Sequence, residues 1–186
     1  TTTQSFNVTP AITTNYFVKD IFTTNVMMGM ANYTSGGWGL GGAFADAQNV
    51  ATLTVIDDVR LKGISLKVNG AGTKGVIRIL DDKGNVVSIS TKSNLAVGMQ
   101  EIPFDTLLKA GTYKIDAVGT TGSVQFQTDR AGAVFSIPNY ATYTPVGWGY
   151  GIFFNLKFEV GNTCAATPVT VTVNPVPVVS ITSPAN

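Results

Sequence analysis

The sequence predicts an all-β protein, an antiparallel two-sheet β-sandwich of the jelly-roll or immunoglobulin-like kind, and three observations carry that expectation. The 186 residues are 44% apolar and only 12% charged, so polarity rests on 25 Thr together with Ser, Asn and Gly. This composition suits pleated, half-buried surfaces better than helices. Gly, Pro and Asn recur at short intervals between runs rich in Val, Ile, Leu, Phe and Thr, which is the rhythm of many short strands. Several of those runs alternate apolar and polar residues with a period of two. Only the stretch from Ala43 to Ala51 has helical character, and it is too short and too weakly periodic to read as a helix.

The elements follow in order. In Val59–Val68, Val59 and Leu61 share one phase and Leu66 and Val68 the other, which places a bulge at Gly63-Ile64. Asn69-Gly70-Ala71-Gly72 turns the chain into residues 75–80, and Asp81-Asp82-Lys83-Gly84-Asn85 turns it into residues 86–90. Both loops have the length and content of antiparallel hairpins. Residues 100–104 read as an edge strand because Pro103 cannot donate to a ladder. Lys109-Ala110-Gly111 leads into residues 112–117, with Tyr113, Ile115 and Ala117 on one face. Residues 123–128 alternate strictly, and Ile152, Phe154, Leu156, Phe158 and Val160 form one inward stripe.

Composition also removes chemistry. The chain has no histidine, which excludes Ser-His-Asp and Cys-His catalysis and His-ligated metals. A single cysteine, Cys164, can form neither an internal disulfide nor a multi-thiolate site. Glu101 and Glu159 are the only glutamates, and the consecutive Asp57 and Asp58 would point to opposite faces of a strand, so neither pair offers the opposed carboxylates of a glycosidase. No enzyme activity is expected. A net charge of +1 gives no basic excess to attract nucleic acid, and no apolar run is long enough for membrane insertion.

Beyond Val160 the texture changes. Residues 169–173 alternate cleanly, Asn174-Pro175-Val176-Pro177 has the makeup of a semi-rigid connector, and 178–186 read as the opening strand of another module. The expected organisation is a sandwich module over 1–160, a closing strand and Pro-containing linker over 161–177, and the first strand of a truncated immunoglobulin-like repeat over 178–186. The order of segments 59–66, 79–86, 108–113 and 151–160, closed by Cys164 and the Thr-Pro-Val-Thr-Val-Thr-Val-Asn-Pro run at 167–175, resembles the non-catalytic β-sandwich modules of large secreted and cell-surface proteins of the Bacteroidota. Residues 178–186 resemble the first strand of bacterial immunoglobulin-like repeats. Ala165 and Ala166 depart from the pattern, standing where polar and basic residues belong. The resemblance implies export, a secreted or cell-surface location, a multidomain parent whose other domains are partners, and an accessory or adhesive role.

Two similar segments are the candidates for a binding surface: Tyr33-Thr34-Ser35-Gly36-Gly37-Trp38-Gly39 and Tyr143-Thr144-Pro145-Val146-Gly147-Trp148-Gly149-Tyr150. Each sets a Trp between glycines five residues after a Tyr. Glycine neighbours leave an indole face uncovered, on which a sugar ring can stack. Tyr33, Tyr143 and Tyr150 would extend the platform and Asn32 would supply amide donors and acceptors. The same pattern fits loops whose Trp folds inward to cap the core, and both readings stay open.

Asp81, Asp82 and Asn85 give their loop the oxygen-rich, Gly-containing character of a calcium loop without a complete ligand spacing, while ordinary turn chemistry accounts for the same residues. No cofactor is expected beyond that candidate structural calcium. Met27, Met28 and Met30 read as core or edge-strand filler, since thioether metal sites need accompanying His or Cys. The expected function is non-catalytic extracellular binding of carbohydrate, a polysaccharide or surface glycan, by aromatic stacking. The alternative is a structural or adhesin spacer with no small-molecule ligand.

Overall fold

The structure is a computed structural model that describes residues 9–18, 21–33, 39–43, 50–125, 133–145, 151–163 and 167–174. Among them lie fourteen strands and no helix: β1 (Thr14–Val18), β2 (Ile21–Met28), β3 (Gly39–Ala43), β4 (Ala51–Val55), β5 (Val59–Val68), β6 (Thr73–Leu80), β7 (Val86–Leu95), β8 (Gly98–Leu108), β9 (Gly111–Asp116), β10 (Thr121–Gln125), β11 (Phe135–Ile137), β12 (Ala141–Thr144), β13 (Phe154–Thr163) and β14 (Thr167–Val171). The chain divides into two compact units, one of Thr1–Phe22 with Thr163–Asn186 and one of Thr23–Asn162. The expected linker prolines and the segment 178–186 lie outside the described residues, as do residues 44–49 of the stretch with helical character.

The first unit contains an antiparallel ribbon. β1 pairs with β14 so that Thr14 stands opposite Val171 and Val18 opposite Thr167. The Thr170 hydroxyl donates to Asn15 Oδ1 at 2.7 Å across a directly opposed pair.

The second unit is the all-β sandwich that the sequence predicts. One sheet has β5 at its centre, flanked by β8 and β13, with β2 beside β13 and β10 pairing the end of β5 and β3. The other runs β11-β12-β4-β9-β6-β7. They join where Thr121 of β10 stands opposite Lys74 of β6.

Alternation produces the core as expected. Val59, Leu61, Leu66 and Val68 are buried, and the register against β8 slips between Leu61 and Gly63, so the bulge lies where the phase changes. Ile152, Phe154, Leu156, Phe158 and Val160 are all buried, and all of them but Phe154 belong to one cluster with Leu61 and Leu66 and with Leu53, Ile77, Ile79 and Ile115 of the other sheet. Each such side chain contributes about 1.5–3 kcal/mol on removal from water. Among the described residues β8 pairs with β5 alone, so the strand carrying Pro103 is an edge strand there.

One expected hairpin is not formed. The turn 69–72 leads from β5 in one sheet to β6 in the other, because both edges of the end of β5 are already taken, with Val68 opposite Gly98 of β8 and Val124 of β10. The crossing is tied instead to β10: Asn69 N–H donates to the Ser123 carbonyl at 2.9 Å, and the Thr73 hydroxyl donates to the Gly70 carbonyl at 2.6 Å and accepts from Ser123 N–H at 3.1 Å. Gly122 holds φ at +99°, and a Cβ there would lie 2.6 Å from Thr73 Oγ1, so only glycine permits this contact.

Further along β6 the ladder is patched by a side chain. β10 pairs β6 at Lys74 and β9 pairs it from Arg78 onward. Between them the buried Thr120 hydroxyl accepts from Val76 N–H and donates to the Val76 carbonyl, both at 2.9 Å. A single hydroxyl thus satisfies both backbone groups that a neighbouring strand would otherwise serve. Next to it, Arg78 grips the nearly buried Asp116 with two hydrogen bonds of 2.8 and 2.7 Å across the β6–β9 pair.

Candidate functional site

The outer face of the β5-centred sheet carries a ladder of charges. Before its bulge β5 turns Arg60 and Lys62 outward, β13 contributes Lys157 and Glu159, and β8 contributes Glu101 and Asp105. Lys62 donates to Asp105 Oδ1 at 2.7 Å, and Arg60 reaches the same oxygen at 3.4 Å. Lys157 donates to Glu101 Oε2. The Lys62 hydrogen bond and its charge, with Arg60 behind it, hold the Asp105 carboxyl below the usual aspartate value. Glu159 stands opposite Arg60 in register. Three cations therefore share this face with three carboxylates.

The path of Glu101 depends on a missing side chain. Gly63 stands opposite Lys157 on one side and Pro103 on the other, and a Cβ on it would come within 2.7 Å of Glu101 Oε1. The Glu101 side chain thus lies over Gly63 to reach a strand two places away. β13 is irregular at the same level, with register shifts on both sides of Lys157. Next to these irregularities an open groove of about 400 Å³ lies among Asn25, Val26, Met27, Lys62, Lys157 and Phe158. Met27 is 68% exposed, whereas Met28 and Met30 are buried core residues.

The residues singled out from the sequence are distributed differently. Trp38, Trp148 and Tyr150 lie outside the described residues. Asn32 is exposed, and Tyr33 is half-buried with the Lys67 ammonium 5.9 Å from its ring centre. Tyr143 is a correction: it is fully buried on β12, tilted against Phe135 at 6.0 Å, and its hydroxyl points to the Phe153 carbonyl. It has no face to offer a ligand, and desolvation raises its phenol far above the ordinary value. Alternation explains this, since Ala141 and Tyr143 are the inward residues of β12.

The Asp81 loop closes on itself. Asp81 Oδ1 accepts from the N–H groups of Lys83 and Asn85 at 3.0 and 2.8 Å, and Oδ2 accepts from the Asn85 amide at 2.9 Å. The Asn85 amide, with the backbone bonds, holds this carboxyl low. Asp82 is exposed. The arrangement is an Asx-capped hairpin turn with Gly84 at φ +86°. Asp57 and Asp58 lie in the turn between β4 and β5; Asp57 accepts from Asp58 N–H and Asp58 pairs with Lys109. Among the described residues no three of the types His, Cys, Asp and Glu come together as a metal-binding group.

The groove and charge ladder were not singled out from the sequence, because outward Lys, Arg and Glu on a strand read as ordinary solvated residues. The available signal was the pair of irregularities, the phase shift at Gly63 and an outward Met27 among Thr and Asn.

No protein-family model matches the chain, and no curated protein sequence does. Among solved structures the chain is similar to particle and VP2 structures of infectious bursal disease virus. A T=1 particle structure of infectious bursal virus has 13% identity and a TM-score of 0.27, over 90% of this chain and 42% of that one. The VP2 subviral particle has 15% identity and a TM-score of 0.24, over 86% and 46%. The chain spans less than half the length of these structures, and similarity at this level carries no argument about its function. No helix among the described residues is long and apolar enough to cross a membrane.

Proposed function

We propose that the chain is a non-catalytic carbohydrate-binding module held out from the side of a longer secreted or cell-surface protein. The observation that supports display over spacing is that incoming and outgoing strands are partners in each unit. β1 pairs with β14, Thr14 opposite Val171, and β2 lies beside β13. A chain that leaves a module where it came in gains little length from it, so the module adds surface rather than reach. The surface suits a hydroxyl-rich ligand, because ammonium donors, carboxylate acceptors, an amide and an exposed thioether lie around one groove.

The test is retention of the full chain on insoluble cellulose, chitin and xylan, with Trp38→Ala and Trp148→Ala alongside. Retention of the wild type on at least one is expected, reduced in the Trp variants with the circular dichroism spectrum unchanged. Absence from all three pellets would favour the structural or adhesin alternative.

A further inference from the structure

Resting on the carbohydrate reading, we infer that the groove between β2, β5 and β13 is the sugar subsite and that it takes an uncharged glycan. Its polar groups are already neutralised in pairs. Lys62 is bonded to Asp105 and Lys157 to Glu101, while Arg60 shares Asp105 and stands opposite Glu159. An anionic polymer binding here would meet a carboxylate beside every cation, and recruiting a lysine would break an existing ion pair. A neutral hydroxyl asks for neither. An ammonium has three N–H donors and a carboxylate several acceptor positions, so a Lys62 or Lys157 that gives one bond to its carboxylate retains donors for sugar oxygens.

The pairs also fix these groups in place. Asp105 is held by Lys62 and Arg60, and Glu101 crosses Gly63 to Lys157, so less side-chain freedom is lost on binding. The exposed Met27 thioether supplies a polarizable apolar patch of the kind that covers the C–H face of a sugar ring, and Asn25 beside it supplies both a donor and an acceptor. The groove's volume of about 400 Å³ falls in the range of small-ligand sites, whereas a stable protein partner would need a patch of roughly 800 Å² on this side.

The experiment is affinity electrophoresis of the full chain in gels containing neutral polysaccharides (xyloglucan, galactomannan, mixed-linkage β-glucan) or anionic ones (alginate, polygalacturonate), at low and high salt. Asn25→Ala, Met27→Ala and Lys62→Gln are run beside the wild type, with thermal unfolding confirming that each variant folds. The expected result is retardation by a neutral polysaccharide that persists at high salt and weakens by about tenfold in apparent affinity in Asn25→Ala or Lys62→Gln, the loss of one net hydrogen bond. Met27→Ala weakens it in the same direction. Retardation that none of the three variants changes would overturn the groove assignment and leave the carbohydrate reading standing. Retardation by anionic gels alone, abolished by salt, would overturn the uncharged class. Free migration in every gel would overturn both.

Discussion

Glu101 on β8 reaches Lys157 on β13 across the whole width of β5, and it does so over Gly63, the residue that stands opposite Lys157 in the ladder. The ion pair spans a strand because that strand has no side chain at the crossing. Bulge, glycine and salt bridge are one feature, and the groove lies beside it.

The first prediction follows from what a Cβ would meet. In Gly63→Ala the methyl would strike only the flexible end of Glu101. Both partners of the pair are about 40% exposed, so its loss costs less than about 1 kcal/mol. Gly75→Ala is different: its Cβ would lie 2.9–3.2 Å from Ile102, Leu95 and Leu66 in the core, an overpacking that costs about 1–3 kcal/mol. Urea unfolding of the two variants should show this order.

Thr120→Val keeps shape and removes the hydroxyl that serves both backbone groups of Val76. Two buried polar groups lose their partner, so destabilisation of about 2–4 kcal/mol is expected, with Thr120→Ser close to wild type. Hydrogen exchange at the Val76 amide should accelerate in the valine variant and not in the serine variant.

Tyr143 tests the correction from ligand residue to core residue. Tyr143→Phe removes a 3.5 Å contact to the Phe153 carbonyl and should change stability by less than about 1 kcal/mol, with carbohydrate retention unchanged. Tyr143→Ala opens a cavity and should cost about 3–5 kcal/mol. Calorimetry and the pull-down together read both effects.

Acid sensitivity follows from carboxylates held below the usual 3.8: Asp58 by its hydrogen bond to Lys109, Asp81 by the Asn85 amide and Asp105 by Lys62. A group whose folded pKa is depressed contributes stability above its unfolded pKa and loses it as pH falls through the folded value. Stability should therefore hold from neutrality down to about pH 4 and decline below it. Added salt should weaken the contributions of Asp58 and Asp105, which face lysines, more than that of Asp81, which is bonded to its own turn. Thermal unfolding across pH 2–8 at two salt concentrations checks both.

The β1–β14 register is tested by cross-linking. With Cys164→Ser as background, Asn15→Cys with Thr170→Cys places two cysteines on directly opposed residues, within disulfide reach. Oxidation should give the intramolecular bond, while Asn15→Cys with Thr167→Cys, three positions out of register, should not.

Much of this architecture was legible from alternation alone. The inward stripe of β13, the phase shift at Gly63 and the edge position of Pro103 are local consequences of residue order. The crossing at 69–72 was not, because a turn's own residues do not say whether the preceding strand has a free edge, and β8 and β10 occupy both edges of the end of β5 from further along the chain. The site was less legible still. Tyr143 beside a Gly-Trp-Gly motif looked like part of a platform, yet its phase on β12 sends it inward. The ladder of Arg60, Lys62, Glu101, Asp105 and Lys157 exists only once three strands separated by tens of residues are aligned.

The measurement that bears most directly on the central claim is a titration of the uniformly ¹⁵N-labelled full chain with neutral oligosaccharides from cellulose, xylan and mannan, followed by amide and side-chain shifts. The account predicts saturable, salt-insensitive changes clustered at Asn25, Val26, Met27, Lys62 and Lys157. Spectra unchanged by every oligosaccharide, or changes confined to strands such as β7 with the groove residues unmoved, would contradict it.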